Sequence, residues 1–480
     1  MTATPLIESR YAGGDGAMSA LAMALFVLSV GYAIDLDNGY YSPRALLWLT
    51  ISLAFCAAAI VLPAFRKVEW FSRRSLALVL AVGIAIQTAL LMARSDFDPL
   101  KSAGFAIISA LGLLQFFYLR RRRIPVIVIM TATFLYAGGV ALNRWAEPDI
   151  DVYTFQQSAS VALMRGSNPY EVRTPTRYPH SRFYGPGLVD QNGYLTFGFP
   201  YPPLSLLMVL PGFLVRGDIR YAQLVAVAVS VVLMALARPG RAGRIGALAG
   251  VLFLTTPCVF LVLTMAWTEP LLVLNFSLVM FCACRWRKGL PWALGLFFAT
   301  KQYTVLALPL LPLLVHGPGW RKELRGIVVK AGILVAVINL PFLLWNVREF
   351  TRGVVLLQFV QPFRTDALSY LVWLYSRTGG VKPPIWIPLL VVIPVTALAL
   401  WRGTRSPAGF AAALTLVNVL FFAFNKQAFC NYYYFVIATA CWSVAAAKLP
   451  LSSLIRRQSS RLQGMQAALL DLAASTRNDQ

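Results

Sequence analysis

Of the 480 residues, 58% are hydrophobic and 13% charged, where a soluble domain carries roughly 25% charged residues. That balance excludes a soluble globular protein and describes an all-α polytopic membrane protein, with apolar runs of about 15 to 20 residues recurring along the chain. Lys and Arg number 43 against 19 Asp and Glu. On a soluble chain this excess would suggest nucleic acid. Here the basic residues sit in short links between apolar runs, the positive-inside pattern, so membrane lipids and not nucleic acid are the expected partners.

The first expected spans are Met18 to Ile34, Ala45 to Ala64, Ser75 to Ala93, Ala103 to Tyr118 and Pro125 to Leu142. No small-residue cleavage site follows the first, which is read as a retained helix. The links after the second and fourth spans hold Arg66, Lys67, Arg73, Arg74 and the run Arg120 to Arg123, whereas the alternate links carry Asp35, Asp37, Asp96 and Asp98. The N-terminus is therefore expected in the cytoplasm. The polar insert from Arg144 to Leu204, the longest polar interruption in the chain, is then expected outside.

Two apolar segments follow, Leu204 to Val215 and Tyr221 to Leu236. If both crossed, every later basic link would move outside; if only the second crosses, all of them stay inside. Leu204 to Val215 is accordingly expected to re-enter or to lie at the interface. The same parity applies to Leu290 to Val315, bracketed by Lys288 and Arg321: the run must go out and return, with its turn at Lys301 and Gln302. The remaining expected spans are Ile245 to Leu263, Pro270 to Cys284, Ile327 to Trp345, Ile385 to Leu400, Gly409 to Phe424 and Tyr432 to Ala447. With both half-spans, the total is about fourteen crossings. The chain thus divides into an N-terminal membrane region, 1–143, with no assigned role, the outer insert 144–204, a membrane core 205–447 with a second outer stretch 346–384, and a basic cytoplasmic tail 448–480.

All six cysteines, Cys56, Cys258, Cys282, Cys284, Cys430 and Cys441, lie in or beside apolar runs and none lies in the insert. A disulfide framework is thereby excluded there, and no Cys/His group has metal-ligand spacing. Parity does, however, bring remote polar motifs to one face. These are Asp149 and Asp151, Trp267-Thr268-Glu269-Pro270, Lys301-Gln302-Tyr303, Arg364, Asn425-Lys426-Gln427 and Asn431-Tyr432. A charge at membrane depth is costly and calls for a partner or a task.

Val152, Phe155, Ala159, Ala162 and Leu163 recur at helical spacing after the two aspartates, which predicts an amphipathic helix on the outer surface. Asp149 and Asp151 are either its cap and a charge at its positive end or functional carboxylates. Glu269 has the same two readings, as a residue suited to a helix N-terminus ahead of Pro270 or as a site residue. Lys301 and Lys426 are each followed by glutamine, Gln302 and Gln427. Two such pairs converging on one face suggest a phosphate clamp, against single snorkelling lysines. Arg173, Arg177, His180 and Arg182 are further possible donors within a basic loop. Pro169-Tyr170, Tyr178-Pro179, Tyr184-Gly185-Pro186 and Tyr201-Pro202-Pro203 alternate rings with rigid turns, suited to sugar stacking or to interface anchoring.

Asp149-Ile150-Asp151-Val152-Tyr153, Leu163-Met164-Arg165-Gly166-Ser167-Asn168-Pro169-Tyr170 and Tyr201-Pro202-Pro203-Leu204 together resemble the GT-C class of polyprenyl-phosphate-sugar-dependent glycosyltransferases. Within the class, the resemblance is to the α-mannosyltransferase-like family that includes bacterial phosphatidylinositol-mannoside enzymes, and it covers roughly Trp145 to Ala447. It implies a GT-C-like bundle of about 12 to 14 transmembrane helices, broken half-spans included, under a large outer loop with amphipathic helices. The resemblance further implies an inverting mannosyltransferase without cofactor or metal, moving a sugar from a polyprenyl-phosphate donor to a lipid or glycan acceptor at the outer face of the plasma membrane.

An acidic residue of the first outer loop is the family's base. Carried onto the D-x-x-V-Y pattern it is Asp149, with Asp151 in reserve. Lys301, Lys426 and Arg364 would then hold the donor phosphate, with Gln302, Gln427, Glu269, Tyr201, Asn431 and His180 lining the site. Two features depart from the family pattern: four spans precede the one that leads into the loop, and the stretch between Tyr170 and Tyr201 is long. The rival reading is a transporter or flippase of lipid-linked sugars, which also uses broken helices and intramembrane charges.

Overall fold

The computed structural model describes residues 17–61, 73–93, 104, 106–113, 123–144, 147–178, 183–240 and 242–448. His180 and Arg182, the links carrying Arg66, Lys67, Asp96, Asp98 and Arg120, a large part of the expected span Ala103 to Tyr118, and the basic tail beyond Lys448 lie outside these residues. Within them the chain is all-helical, and its only extended pairings are isolated bridges.

Among the described residues, five helices are long and apolar enough to cross a membrane: α1 (Ala17–Leu36), α2 (Pro43–Val61), α3 (Arg73–Ala93), α4 (Arg123–Arg144) and the later helix Trp320–Trp345. The insert contributes α5 (Asp151–Met164), at the spacing its apolar residues require. Next, α6 (Pro203–Arg216) meets α7 (Arg220–Leu236) at a bend of 115°. The bend has a local cause. Gly217 closes α6 with φ 70°, a backbone conformation open to glycine, and the Asp218 side chain accepts from the Arg220 amide at 2.9 Å to start the next helix. Counted as one broken or re-entrant span, the pair brings the number to six.

Shorter helices complete the bundle: α8 (Ala242–Leu254), α9 (Val259–Thr264), α10 (Glu269–Arg285) and α11 (Leu290–Phe298), then a 3-10 helix (Gln302–Leu314). The long helix Trp320–Trp345 is α12. It leads through α13 (Val347–Thr351) and a π turn (Arg352–Leu356) to α14 (Leu357–Val360) and α15 (Tyr370–Arg377). The chain closes with α16 (Ile387–Arg402), α17 (Pro407–Ala423) and α18 (Cys430–Ala446). The expected single span from Ile245 to Leu263 is instead the two helices α8 and α9. Pro257 disfavours helical backbone at Thr256 and has no N–H to continue the ladder.

Contacts between links sort the helix ends into two groups. At one end Arg287 pairs with Glu323 at 2.7 Å, Arg405 covers the Trp320 ring at 4.9 Å, and Arg238 Nε donates to the Ala446 carbonyl at 3.1 Å. At the other, the Tyr41 amide donates to the Asp366 carbonyl at 2.9 Å and Thr50 meets the Tyr370 hydroxyl at 2.6 Å. The segment from α11 through the 3-10 helix starts at the arginine-rich end, reaches Glu269 at the top of α10, and returns. Its descending half is a 3-10 helix because Pro309 and Pro312 each lack an amide donor. At a rise of about 2.0 Å per residue its length covers some 26 Å, more than an α-helix of the same length.

The insert packs on the second end through a core of its own. Tyr153, Phe155, Tyr170, Phe197 and Phe199 join Phe342, Phe350 and Val354 from α12, α13 and the π turn. This explains the Asn168-Pro169-Tyr170 motif: Asn168 Oδ1 accepts from the Tyr170 amide at 3.0 Å, Pro169 starts a short 3-10 turn, and the buried Tyr170 hydroxyl donates to the Tyr201 carbonyl at 2.9 Å. Each such ring contributes roughly 1.5 to 3 kcal/mol by leaving water. Tyr170 is thus a core residue that ties the insert to the start of α6.

Candidate functional site

Two acidic centres face one another across Tyr201 at the junction of insert and bundle. The first forms because Asp151 is the first residue of α5, where a carboxylate favours the helix dipole. Its Oδ1 accepts from the Val152 amide at 2.7 Å and its Oδ2 from the Tyr184 hydroxyl at 2.7 Å. Although the residue keeps some exposure, its carboxylate is enclosed on the inner side. Burial pushes its pKa above the ordinary aspartate range, against the opposing pull of the Tyr184 hydrogen bond, the Val152 amide and the Arg364 charge.

Asp149, two residues earlier, faces the other way. Its side chain is 80% exposed and lies 3.7 Å from Arg177, itself anchored on Thr154 Oγ1 at 3.0 Å. The extended backbone at Ile150 carries the two carboxylates to different environments.

The second centre stands at the top of α10. Lys301 Nζ donates to Glu269 Oε1 and, at 2.8 Å, to Thr268 Oγ1, and the Tyr303 hydroxyl reaches the same carboxylate oxygen at 3.2 Å. Both charges are buried, and the ammonium lies 5.4 to 5.5 Å from the ring centres of Tyr201, Tyr303 and Tyr432. Lys301 is therefore a neutralised, caged cation. Glu269 Oε2 and Asn431 Oδ1 are buried without a hydrogen-bond partner among the described residues.

The other expected phosphate-clamp residues hold the protein itself. Gln302 Nε2 donates to the Pro200 carbonyl at 2.9 Å and to the Val354 carbonyl at 3.1 Å, which ties the Tyr-Pro-Pro turn to the π turn. Lys426 Nζ donates to the Phe359 and Gln361 carbonyls at 3.2 and 2.7 Å, and Gln427 Nε2 to the Pro362 carbonyl at 3.2 Å. Partial burial lowers the Lys426 pKa. These contacts cap the C-terminus of α14, where a cation suits the dipole. Gln302, Lys426 and Gln427 thus fasten neighbouring loops, whereas Lys301 is held by Glu269 and Thr268.

No family model, curated protein or solved structure matches this chain.

Arg364 is the cation whose setting differs. Its guanidinium makes a two-point contact with Asp366, Nε to Oδ1 at 2.9 Å and Nη2 to Oδ2 at 2.8 Å. Two rings sandwich it, Phe183 at 4.0 Å and Phe429 at 4.7 Å. The Phe183 ring that it covers packs on Tyr178 at 4.4 Å, which sets it beside the first centre, where its charge favours the ionised form of Asp151. Tyr201 lies in the field of both carboxylates, and burial with those two charges raises its pKa well above the ordinary phenol value. Tyr178 and Tyr184 are raised as well, by burial first and by Asp151 next.

Sequence reasoning gave Tyr178 and Tyr184 only as stacking rings or interface anchors, whereas they enclose Asp151. Asp366, Phe183 and Phe429 escaped it altogether. Asp366 had a signal, an acid two residues from an arginine in an outer stretch, the same spacing as the Asp218 and Arg220 pair at 2.7 Å. Phe183 and Phe429 had none, since single aromatics in loops carry no pattern.

Proposed function

We propose that this protein is an integral membrane glycosyltransferase of the GT-C class, a mannosyltransferase using a polyprenyl-phosphate sugar at the outer face of the plasma membrane. In this reading the shorter helices join the long ones in a bundle of about 12 to 14 spans. The observation that carries it is Asp151, a partly enclosed carboxylate with a raised pKa, oriented by Tyr184 and set beside a cation and a ring of tyrosines. Asp151 takes the role of base that the sequence pattern had offered first to Asp149. An exposed carboxylate beside Arg177 has neither the enclosure nor the orientation that a base needs.

The chemistry follows from those positions. Asp151 removes the proton from an acceptor hydroxyl as its oxygen attacks the anomeric carbon. The bond to the lipid phosphate breaks on the opposite face, and the phosphate leaves with the electron pair. Arg364 balances the phosphate charge, and Tyr201 and Tyr432 are placed to line the sugar. Inversion at the anomeric carbon is the result of one such displacement.

The test is to incubate membranes containing the protein with radiolabelled polyprenyl-phosphate-mannose and candidate lipid or glycan acceptors. Label joined to acceptor without added nucleotide sugar, and absent with Asp151→Asn, is the expected outcome. Label that crosses the membrane unjoined would replace this reading with a flippase. Sidedness is checked separately by a cysteine at position 302, expected to react with an impermeant reagent from outside.

A further inference from the structure

The N-terminal hairpin of α1 and α2, left without a role by the sequence, grips the segment that carries Arg364. Two tethers come from its turn. The Tyr41 amide donates to the Asp366 carbonyl at 2.9 Å, which pairs Tyr40 with Ala367, and the Tyr40 ring meets Phe429 edge-on at 6.0 Å. A third is a close approach: Gly39, at φ 79°, passes Cys430 so tightly that a Cβ would lie 2.5 Å from the Cys430 nitrogen. Further down α2, Thr50 bonds the Tyr370 hydroxyl at 2.6 Å.

These tethers act on the groups that hold the guanidinium. Asp366 makes the two-point contact with Arg364, and Phe429 forms one face of its sandwich. The opposite side of the segment is fixed to the bundle, the Arg364 amide donating to the Lys426 carbonyl at 3.0 Å and the Leu368 amide to the Ala428 carbonyl at 2.9 Å. Arg364 thus sits between two strips of backbone, one of them supplied by the hairpin. A cation placed by a carboxylate, two rings and two backbone strips is restricted in the rotamer freedom that arginine otherwise keeps.

We propose that the α1–α2 hairpin is a positioning device for the site, and that Asp366 is the positioning residue through which its turn sets the Arg364 guanidinium to receive the anionic phosphate of a lipid-linked substrate. The ligand class rests on the function proposed above; the positioning does not. Asp366 touches no substrate in this scheme. Tyr41 acts through its amide alone.

The experiment uses the full chain in detergent micelles, with Tyr41→Pro to delete the amide donor without altering charge, and Gly39→Ala as a second charge-neutral change. The first measurement is phenylglyoxal modification of Arg364, read by mass spectrometry, with amide exchange over 364–368. Either hairpin variant is expected to speed both, the modification by about tenfold, the upper end of what one neutral backbone hydrogen bond contributes. Unchanged modification and exchange in both variants overturn the positioning, whatever the enzyme does.

The second measurement is binding of polyprenyl phosphate, the donor lacking its sugar. Tyr41→Pro is expected to weaken it about tenfold in the parent and to cost nothing further in Arg364→Gln, the non-additivity of coupled groups. Equal losses in the two backgrounds overturn the link to Arg364. If the parent protein does not bind polyprenyl phosphate, the functional reading fails with it, and the first measurement still decides the role of the hairpin.

Discussion

The Tyr184 hydroxyl donates a 2.7 Å hydrogen bond to Asp151 Oδ2, and this contact closes the loop of the insert over the start of α5. It joins a residue that begins a helix to one that sits in a turn far along the chain. The consequence is a carboxylate with one fixed rotamer, one enclosed face and a neighbouring cation, while Asp149 is left in water.

Asp151→Asn is expected to lower the transfer rate by about 10² to 10⁴, the usual contribution of a positioned base. Asp149→Asn is expected to retain activity within a few-fold of the parent, because its ion-pair partner among the described residues is a partly exposed Arg177. Transfer assays with both purified variants decide the order, and equal losses would return Asp149 to the mechanism.

A base acts only when ionised, so kcat/KM is expected to fall as pH drops through the Asp151 pKa, which burial places above the ordinary aspartate value of about 3.9. Tyr184→Phe removes a hydrogen bond that favours the carboxylate, and Arg364→Gln removes a charge that does the same. Both variants should move the acidic limb to higher pH. A limb that stays in place in both would detach Asp151 from the rate.

Glu269 and Lys301 are a buried pair, and breaking such a pair costs more than omitting it. Glu269→Gln should destabilise the protein by about 3 to 5 kcal/mol, since the caged ammonium loses its counter-charge. The double variant Glu269→Gln with Lys301→Met should recover a large part of that loss. Thermal unfolding in detergent checks both, and an additive double variant would show that the two charges are not coupled.

Gln302→Ala deletes the donors shared by the Pro200 and Val354 carbonyls. A loss of about 1 to 3 kcal/mol is expected from the two buried acceptors left unpaired. Amide exchange should quicken around the π turn and the start of α6, ahead of global unfolding. Exchange that rises uniformly over the bundle would make Gln302 an ordinary core residue.

The membrane class, the apolar helices and their approximate limits were legible in the sequence, because hydropathy and the proline and glycine breaks act over a few neighbouring residues. The turn at Lys301 was also legible: Lys288 and Arg321 bracket the run and charge parity wants both at one end, and the chain does rise to Glu269 and return. The break at Pro257 is masked in one dimension, since the apolar composition of the run continues across it.

What each polar residue contacts was decided by the tertiary structure alone. Asp149 and Asp151 have the same side chain two positions apart, and only the fold of the insert, which brings Tyr184 back onto α5, makes them different. Lys301 and Lys426 share a motif, yet one is caged against Glu269 and the other caps α14. Arg364 acquires its setting from Asp366, Phe183, Phe429 and a turn more than three hundred residues earlier. Hydropathy is a property of a segment and survives in one dimension; electrostatic environment is a sum over neighbours in space, and the chain order does not carry it.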